Sequence, residues 1–432
     1  MTPPLLQRVD RPHQGRRLLL VSPYPPSRTG PAEYAAVFSA QCAARGFDVR
    51  VLSEVVSGAP PLAAPAPGVE IDPVWTPSLS GLRQLYRAAY SDSADVIHIN
   101  YSFTMYGGGV AGMVALAQIA RLARSRPVVV TLFDVLPKRD LTAETLRLYH
   151  IRTPPRLARI MVQSILRFLA RTADRIVVQS RAIQSILVDD YGLPSGKVVV
   201  TELPGYPAAA RSSAVARPTP GEAPRPTILY YGFLAPYKGV ELLLEAFARA
   251  RATSPDRAMR LVVAGTNHPR LDFDYAATLR SEATRLGLGP DDVQFPGYVD
   301  ETTSQALFHT SSLVVLPYLR ATGVSGTLAS AMGHNRAVLV SDLPPLVGQL
   351  NGYPHSRVIA PGDAHAMTET LRTVAEGRFV PRPPRSTAPG SVRHWAELVD
   401  RTAEVYASAI AARRTQFVSF SGEFAGETEA QT

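Results

Sequence analysis

The stretch from Leu316 to Asp342, LPYLRATGVSGTLASAMGHNRAVLVSD, decides the fold of this chain. An apolar strand is predicted to end at Pro317, and a polar loop with glycines follows from Arg320 to Gly326. A short helix is predicted from about Thr327 to Gly333, and a second buried strand from Ala337 to Val340. Strand, glycine loop, helix and strand in this order indicate a parallel α/β unit.

The loop of this unit is typical of an anion site. Backbone N–H groups at a helix N-terminus have no partner within the helix, and they attract phosphate. The hydroxyl groups of Thr322, Ser325 and Thr327 add hydrogen-bond donors beside them. Plain N-capping by Ser325 or Thr327 is the alternative interpretation, and it is compatible with phosphate binding.

Similar units precede this stretch in both halves of the chain. The predicted strands of the second half begin with Thr227–Tyr231, Arg260–Gly265 and Val293–Pro296. The first half contains six predicted strands that alternate with helices or loops: Arg17–Pro23, Asp48–Ser53, Ala94–Asn100, Pro127–Leu132, Ala173–Ser180 and Lys197–Leu203. We therefore predict an α/β fold of two Rossmann-like, doubly wound domains that face each other across a cleft.

The predicted boundaries follow from composition. Residues 1–206 form the first domain, and the Pro- and Ala-rich residues 207–226 form a linker. The second domain spans 227–380, and a helix over 391–415 crosses back to the first domain. Residues 416–432 are expected to be a disordered tail.

Composition limits the classes of protein to consider. Hydrophobic residues make up 46% and charged residues 19% of the 432 residues, which is typical of a globular protein. A lone Cys42 excludes a disulfide framework, Met1 to Arg17 lacks the apolar core of a signal peptide, and runs such as Leu18 to Val21 are too short to span a bilayer. We therefore expect a cytoplasmic protein.

The charge is uneven along the chain. Up to Gly205 there are 23 Lys and Arg against 15 Asp and Glu, whereas the rest has 22 against 21. A basic first half suggests an anionic partner. The predicted helix from Arg156 to Ala173 carries arginines over an apolar face, which is either a solvated surface or a peripheral contact with an anionic membrane at its inner face. No groove-reading element or set of stacking aromatic residues accompanies the charge, so we predict no nucleic-acid binding.

Several common sites are missing from the sequence. Gly30 stands alone in the first strand–helix loop, without the glycine fingerprint of dinucleotide binding. Asp272 and Asp274 have metal-motif spacing but precede a predicted helix, where N-capping is the favoured interpretation. We predict no metal site and no tightly bound cofactor.

Read in order, these segments resemble a retaining glycosyltransferase of the GT-B fold, family 4. The resemblance extends from about Arg17 to Arg413. It rests on the order and spacing of SPYPPSRTGPAEYAAVFSAQ, ADVIHINYSFTMYGGG, ADRIVVQS, YYGFLAPYKGVELLLEAF, LVVLPYLRATGVSG and AVLVSDLP. It implies transfer of a hexose from a nucleotide-diphosphate sugar to a hydroxyl acceptor, with retention of configuration.

The resemblance implies roles for particular residues. Lys238, before Gly239, matches the lysine that meets the donor phosphates, and we assign it a catalytic role. The residues expected to contact the donor share positions in glycine loops: Gly30, Gly232, Lys238, Thr322, Ser325, Gly326, Thr327 and Ser330. Asp134, after a strand, is a candidate base or acceptor-orienting group, with local capping as the alternative.

Two polar residues of the ADVIHIN strand are further candidates. His98 is a candidate catalytic residue, although a lone histidine in a strand is more often a satisfied core residue. Asn100, at the end of that strand, is a candidate for acceptor contact.

The sequence departs from the family pattern at four positions. Phe133 stands where the family has a histidine, and Phe233 where it has an arginine. Thr322 and Ser330 stand in place of two glutamates that contact the donor sugar and ribose. The second hypothesis is therefore a catalytically degenerate GT-B protein that acts as a binding or scaffold partner of an active transferase.

Overall fold

Apolar runs form two parallel sheets, each flanked by helices, in the computed structural model of this chain. The structure describes residues 13, 15–58, 66–103, 105–107, 109–148, 151, 153–206, 225–253, 259–269, 271–379 and 394–428. The strands are β1 (Arg17–Val21), β2 (Asp48–Glu54), β3 (Val69–Trp75), β4 (Val96–Tyr101), β5 (Val128–Leu132), β6 (Arg175–Val178), β7 (Val198–Val200), β8 (Thr227–Tyr231), β9 (Arg260–Ala264), β10 (Val293–Gly297), β11 (Leu313–Leu316), β12 (Val338–Ser341) and β13 (Ser356–Ile359).

Helices connect most of these strands. They are α1 (Gly30–Ala44), α2 (Leu79–Ser91), α3 (Gly109–Ser125), α4 (Ala143–Leu148), α5 (Pro155–Thr172), α6 (Arg181–Ser185), α7 (Val240–Ala252), α8 (Tyr275–Arg285), α9 (Glu301–Thr310), α10 (Gly326–Gly333), α11 (Pro344–Leu350), α12 (Ala364–Ala375) and α13 (Trp395–Thr428). In the described part of the chain, no helix is both long and apolar enough to pass through a membrane.

The first sheet has the strand order β3-β2-β1-β4-β5-β6-β7, with all pairs parallel. From β1 the chain winds outward to β2, and from β4 it winds the other way to β5 and β6. Because crossovers between parallel strands are right-handed, the two directions place their helices on opposite faces. Helix α1, which packs against α13, covers one face, while α2 and α3, which pack together, cover the other. Helix α5 joins β5 to β6 in the same direction as α3 joins β4 to β5, so the same rule assigns it to the face of α2 and α3.

The second sheet has the order β10-β9-β8-β11-β12-β13, again with parallel pairs. Its central strands β8 and β11 are almost fully buried, with the side chains of Ile228, Leu229 and Val314 at 0% exposure. Strands covered on both faces need continuous apolar runs, which is why these segments are so readily recognised in the sequence. The predicted α/β fold with two Rossmann-like, doubly wound domains is confirmed.

The chain divides into two compact units. The first contains the chain up to Val135, Val162–Glu202 and the chain from His394, and the second contains Leu136–Met161 and Leu203–Arg393. Helix α13 thus belongs to the first unit, as predicted, and it continues to Thr428, beyond residue 415 where the prediction ended it. Most of the predicted linker lies outside the described residues, as do 429–432 of the predicted tail.

Two strands were absent from the sequence prediction, β3 and β13. Each lies at one end of its sheet. Neither strand has an unbroken apolar run, since β3 has the sequence VEIDPVW, which contains Pro73, and β13 has the sequence SRVI. Both segments therefore gave a weaker signal than the central strands.

Candidate functional site

The loops after β8 and β11 meet at the point where the winding of the second sheet reverses. From β8 the chain passes to β9 on one side, and from β11 it passes to β12 on the other. The N–H of Leu319 donates to the carbonyl of Tyr237 at 2.9 Å. Gly239 has φ +69°, and a Cβ there would lie 2.2 Å from the carbonyl oxygen of Pro317. Ligands of open α/β sheets bind at such reversal points.

Gly232 and Thr327 are brought together at this point, although they are far apart in sequence. The Thr327 hydroxyl donates to the carbonyl of Tyr231 at 3.0 Å, which ties the first turn of α10 to the end of β8. Gly232 has φ +120°, and the ideal position of a Cβ there is 3.4 Å from Thr327 Oγ1. The carbonyl of Gly232 also lies against Gly265, where a Cβ would approach it to 1.9 Å. Glycine is therefore required in this loop by close backbone packing.

The Gln349 side chain, which the sequence did not indicate, fixes the residue that caps the N-terminus of α10. The side-chain oxygen of Gln349, in α11, accepts from the N–H of Ser325 at 2.7 Å, and its NH₂ group donates to the Ser325 carbonyl at 2.9 Å. The Ser325 hydroxyl in turn accepts from the N–H of Leu328 at 3.3 Å. Among the described residues, no acceptor is hydrogen-bonded to the N–H of Gly326 or Thr327, which leaves two donors for a ligand.

Lys238 ends the loop after β8. Its ammonium lies 3.6 Å from the ring centroid of Tyr318, which follows β11, and 5.4 Å from that of Tyr237. Burial lowers the pKa of Lys238, but interactions with Tyr318 and Tyr237 outweigh it, so the pKa is raised overall. A cation on an aromatic face keeps its charge and a fixed position. The loop thus contributes a permanent positive charge.

The remaining donor-site candidates lie in the same part of the second unit. Thr322 is half-buried in the loop before α10, and Ser330 is a buried residue of α10 at 8% exposure. The Phe233 ring contacts the His268 ring edge to face, with 5.5 Å between centroids. The position where the family has an arginine is therefore part of an aromatic contact.

In the first unit, the corresponding reversal point lies between β1 and β4. Asn100, fully buried at the end of β4, donates from its NH₂ group to the Ser22 hydroxyl at 2.9 Å. Its side-chain oxygen has no hydrogen-bond partner in the described structure. Tyr106 donates to the Asn100 backbone carbonyl at 2.7 Å and fixes the loop after the strand.

Asp134 also contacts this loop. It accepts from the Ser102 hydroxyl at 2.8 Å and from the N–H of Phe103 at 3.4 Å. These contacts join Asp134 to a loop about 30 residues earlier in the chain, so they differ from the local capping that the sequence suggested as the alternative, and they hold the carboxylate beside the carboxyl end of β4. Phe133 packs edge to face on Tyr34, with 5.3 Å between ring centroids, so the family's histidine is replaced by an apolar contact.

His98 has a different environment from the other candidates. Its ring is fully buried, Nε2 contacts the Thr131 hydroxyl at 2.6 Å, and Nδ1 contacts the Tyr406 hydroxyl of α13. Burial lowers the pKa of His98 to about 3, so the ring is neutral. With both nitrogens engaged inside the core, His98 has no route to a substrate, and we leave it out of the proposed catalytic residues.

Gly30 is the first residue of α1, which Thr29 caps by accepting from the N–H of Ala32 at 3.3 Å. A Cβ at Gly30 would meet nothing within 4 Å, so no contact in this structure demands glycine there. Its assignment to the donor site remains a proposal.

Of the acidic pair before α8, Asp274 has a capping role. Asp274 accepts from the N–H of Ala277 at 3.1 Å and from the side chain of Asn267 at 2.9 Å, and the latter bond is the main cause of its lowered pKa. Within the described residues, no cluster of three His, Cys, Asp or Glu side chains could hold a metal ion.

Comparison with known proteins links this geometry to glycosyltransferases. Mannosylfructose-phosphate synthase of Agrobacterium fabrum is 26% identical over 152 residues, covering 34% of this chain and 33% of the relative. D-inositol 3-phosphate glycosyltransferase 2 of Catenulispora acidiphila is 30% identical over 171 residues, covering 37% of this chain and 39% of the relative. The matched region is thus between a third and two fifths of the length of these curated relatives.

Solved structures share the fold over almost the whole chain. The structure of Anabaena HepE in complex with UDP aligns with a TM-score of 0.58 and 17% identity, covering 91% of this chain and 100% of HepE. Its complex with UDP-glucose aligns with a TM-score of 0.60 and 16% identity, covering 91% and 99%. At this level of identity the likeness shows a common GT-B fold.

Two family models match the chain, one in each half. Residues 225–376, which contain Lys238 and the α10 N-terminus, match the model "Glycosyl transferases group 1". Residues 29–204 match the model "Glycosyl transferase 4-like domain". Both halves of this GT-B chain therefore belong to glycosyltransferase domain families, which confirms that part of the resemblance.

Proposed function

We propose that this protein is a glycosyltransferase that moves a hexose from a nucleotide-diphosphate sugar to a hydroxyl acceptor with retention of configuration. The observation that carries the proposal is the open N-terminus of α10, which Gln349 holds at the reversal point of the second sheet beside the loop of Lys238. The donor is assigned to the second unit. The acceptor is assigned to the carboxyl end of β4, where Asn100 and Asp134 lie.

The chemistry requires stabilisation of the leaving diphosphate. As the bond between the sugar carbon and the phosphate oxygen breaks, its electron pair moves to the diphosphate. The N–H groups of Gly326 and Thr327 and the Lys238 ammonium are fixed donors for that growing charge. The acceptor oxygen forms the new bond to the sugar carbon, and Asp134 is the proposed group that orients its hydroxyl and takes its proton.

The proposed diphosphate contacts do not depend on the four residues that depart from the family pattern. Backbone N–H groups and a lysine carry the diphosphate contacts, so Phe233 need not supply a charge. The hydroxyls of Thr322 and Ser330 are neutral, and we assign them to hydrogen bonds with the donor sugar and nucleoside.

A binding experiment tests the donor site. We expect UDP or UDP-glucose, the ligands in the HepE complexes, to raise the melting temperature more than ADP or GDP does. At 100 times the dissociation constant, binding stabilises the native state by about 2.7 kcal/mol. If no nucleoside diphosphate or sugar conjugate shifts the melting temperature at millimolar concentration, the donor site is assigned wrongly.

A turnover experiment separates an enzyme from a degenerate scaffold. Release of nucleoside diphosphate from the selected donor is measured for the native chain, Lys238→Ala and the control Arg249→Ala, whose side chain is 62% exposed on α7. We expect Lys238→Ala to lower kcat by about 100-fold or more, and the control to leave it unchanged. Donor binding without any turnover, with and without candidate acceptors, would favour the scaffold. The anomeric configuration of the product, read by NMR, tests retention.

A further inference from the structure

One face of the first sheet is covered by helices that contain no carboxylate. Helices α2 and α3 pack together, and neither contains Asp or Glu. The part of α5 from Val162 to Thr172 also contains neither residue. The same segments contain six arginines: Arg83, Arg87, Arg121, Arg124, Arg167 and Arg171. We call this surface the arginine face. It accounts for much of the positive charge of the first half of the chain.

The arginine face also exposes apolar side chains. The outward stripe of α3 consists of Val110, Met113, Ala117, Arg121 and Arg124. Met113 is 72% exposed and Val110 is 66% exposed, and Leu79 at the start of α2 is 47% exposed. A solvated helix surface normally carries charges of both signs rather than arginine next to exposed methionine and valine.

The arginines are available for an external partner. Four of the arginines are exposed and form no ion pair with another described residue: Arg83, Arg87, Arg121 and Arg124. In the second unit the helices differ, since α7 has Glu241 and Glu245 and α12 has Glu369. There, exposed arginines pair within their own helix, as Arg249 does with Glu245.

We propose that the arginine face docks the protein on an anionic lipid bilayer. Guanidinium groups bind lipid phosphates, while exposed valine, methionine and leucine side chains enter the interface between headgroups and acyl chains. The apolar component distinguishes this surface from a nucleic-acid site, which would need stacking rings or polar base-reading groups beside the arginines. The proposal is independent of whether the chain transfers a sugar.

Vesicle sedimentation with the full chain tests the proposal. We expect binding to phosphatidylcholine vesicles that contain phosphatidylglycerol, no binding to pure phosphatidylcholine, and release when NaCl is raised from about 0.05 M to about 0.5 M. Arg87→Glu combined with Arg121→Glu should weaken binding by more than about tenfold. Val110→Ser combined with Met113→Ser should weaken it several-fold while leaving its salt dependence intact.

A matched control makes the same change in net charge away from the arginine face. Arg249→Glu combined with Arg280→Glu changes net charge by the same amount on exposed positions of the second unit, and it should bind vesicles like the native chain. An equal loss of vesicle binding in the two arginine double variants would show only an effect of net charge, and it would overturn the assignment of the arginine face. The proposal is also overturned if the native chain does not bind anionic vesicles at low salt. Binding to an oligonucleotide that depends on these arginines, without binding to vesicles, would overturn it too.

Discussion

The side-chain amide of Gln349 determines the geometry of the α10 N-terminus, although nothing in its sequence context indicates this. It binds both the N–H and the carbonyl of Ser325, and it is only 4% exposed. Glutamine is common in amphipathic helices, so the sequence does not indicate that this one has a particular partner. The partner, Ser325, is identified only from the packing of α11 against α10. By contrast, Ser325, Gly326 and Thr327 were recognised because a cap and a glycine precede an apolar helix.

We predict that Gln349→Leu lowers both stability and nucleotide affinity. The substitution leaves the N–H of Ser325 buried without a partner, which costs about 1–3 kcal/mol of the free energy of unfolding. The Ser325 carbonyl keeps the hydrogen bond that it accepts from the N–H of Ala329 at 3.0 Å. Urea unfolding measures the loss, and hydrogen exchange of residues 316–333 locates it. The exposed Gln294 provides the control, since Gln294→Leu should change little. If the affinity for UDP is unchanged in Gln349→Leu, the hydrogen bonds of Gln349 to Ser325 do not position the donor site.

The packing of Gly265 on the Gly232 carbonyl supports a second prediction. Gly265→Ala should destabilise the second unit by more than about 3 kcal/mol, because its Cβ has no space and φ is +151°. Gly287 also has a positive φ, +72°, but a Cβ there would meet nothing within 4 Å, so Gly287→Ala is expected to cost about 1 kcal/mol. Thermal unfolding of the two variants compares the steric clash in Gly265→Ala with the backbone strain in Gly287→Ala. Similar losses of stability in both variants would contradict the close packing of Gly265 on the Gly232 carbonyl.

At the scale of elements, the sequence predicted all the central strands and missed two of the four edge strands in the described part of the chain. Eleven of the thirteen described strands lie where apolar runs predicted them, and the two that were missed, β3 and β13, lack an unbroken apolar run. The sequence identified both reversal-point loops of the second sheet because glycines follow apolar strands there. The same pattern could not show that His98, in β4, is covered by α13, since that contact joins residues 308 positions apart.

The contact between β4 and α13 predicts a pH dependence of stability. Folded His98 has its pKa lowered to about 3 by burial, whereas the ordinary value is 6.5. Between these values the unfolded chain binds a proton that the folded chain does not, so stability falls as pH decreases below 6.5. The slope contributed by this residue is about 1.4 kcal/mol per pH unit, and it vanishes above 6.5.

His98→Gln should therefore flatten the dependence of the unfolding free energy on pH between about 6 and 5. Both tryptophans, Trp75 and Trp395, lie in the first unit, so tryptophan fluorescence during urea unfolding reports on this unit. Tyr406→Phe is the matched variant, because it removes a hydroxyl contact but leaves a titratable buried ring. It should lower stability and keep the slope. An unchanged slope in His98→Gln would contradict the buried, neutral state.

At the scale of the whole molecule, the first unit is assembled from three separate chain segments. Its last segment, α13, places Trp395 against Tyr34 with 5.6 Å between ring centroids, and Arg413 against Asp174 at 2.8 Å. Leu398 and Ala409 of the same helix are fully buried. Helix α13 is thus part of the hydrophobic core of the first unit.

We predict that a chain ending at Arg393 loses the cooperative unfolding of the first unit, because the core facing α13 becomes exposed. A chain ending at Arg413 keeps the buried positions and the ion pair with Asp174, so its first unit should unfold like that of the full chain. Urea unfolding followed by Trp75 fluorescence compares the two. Native-like unfolding of the shorter chain would show that α13 is dispensable for the first unit.

The position of α13 has a consequence for the order in which the protein is made. The ribosome releases residues 203–393, which make up most of the second unit, before it releases the helix that completes the first. The earlier segments of the first unit must therefore wait, with the hydrophobic surface around Phe47 and His98 uncovered, until α13 has been synthesised. During synthesis the second unit can complete its core first, so the release of α13 sets the earliest moment at which the first unit becomes resistant to aggregation and to proteases.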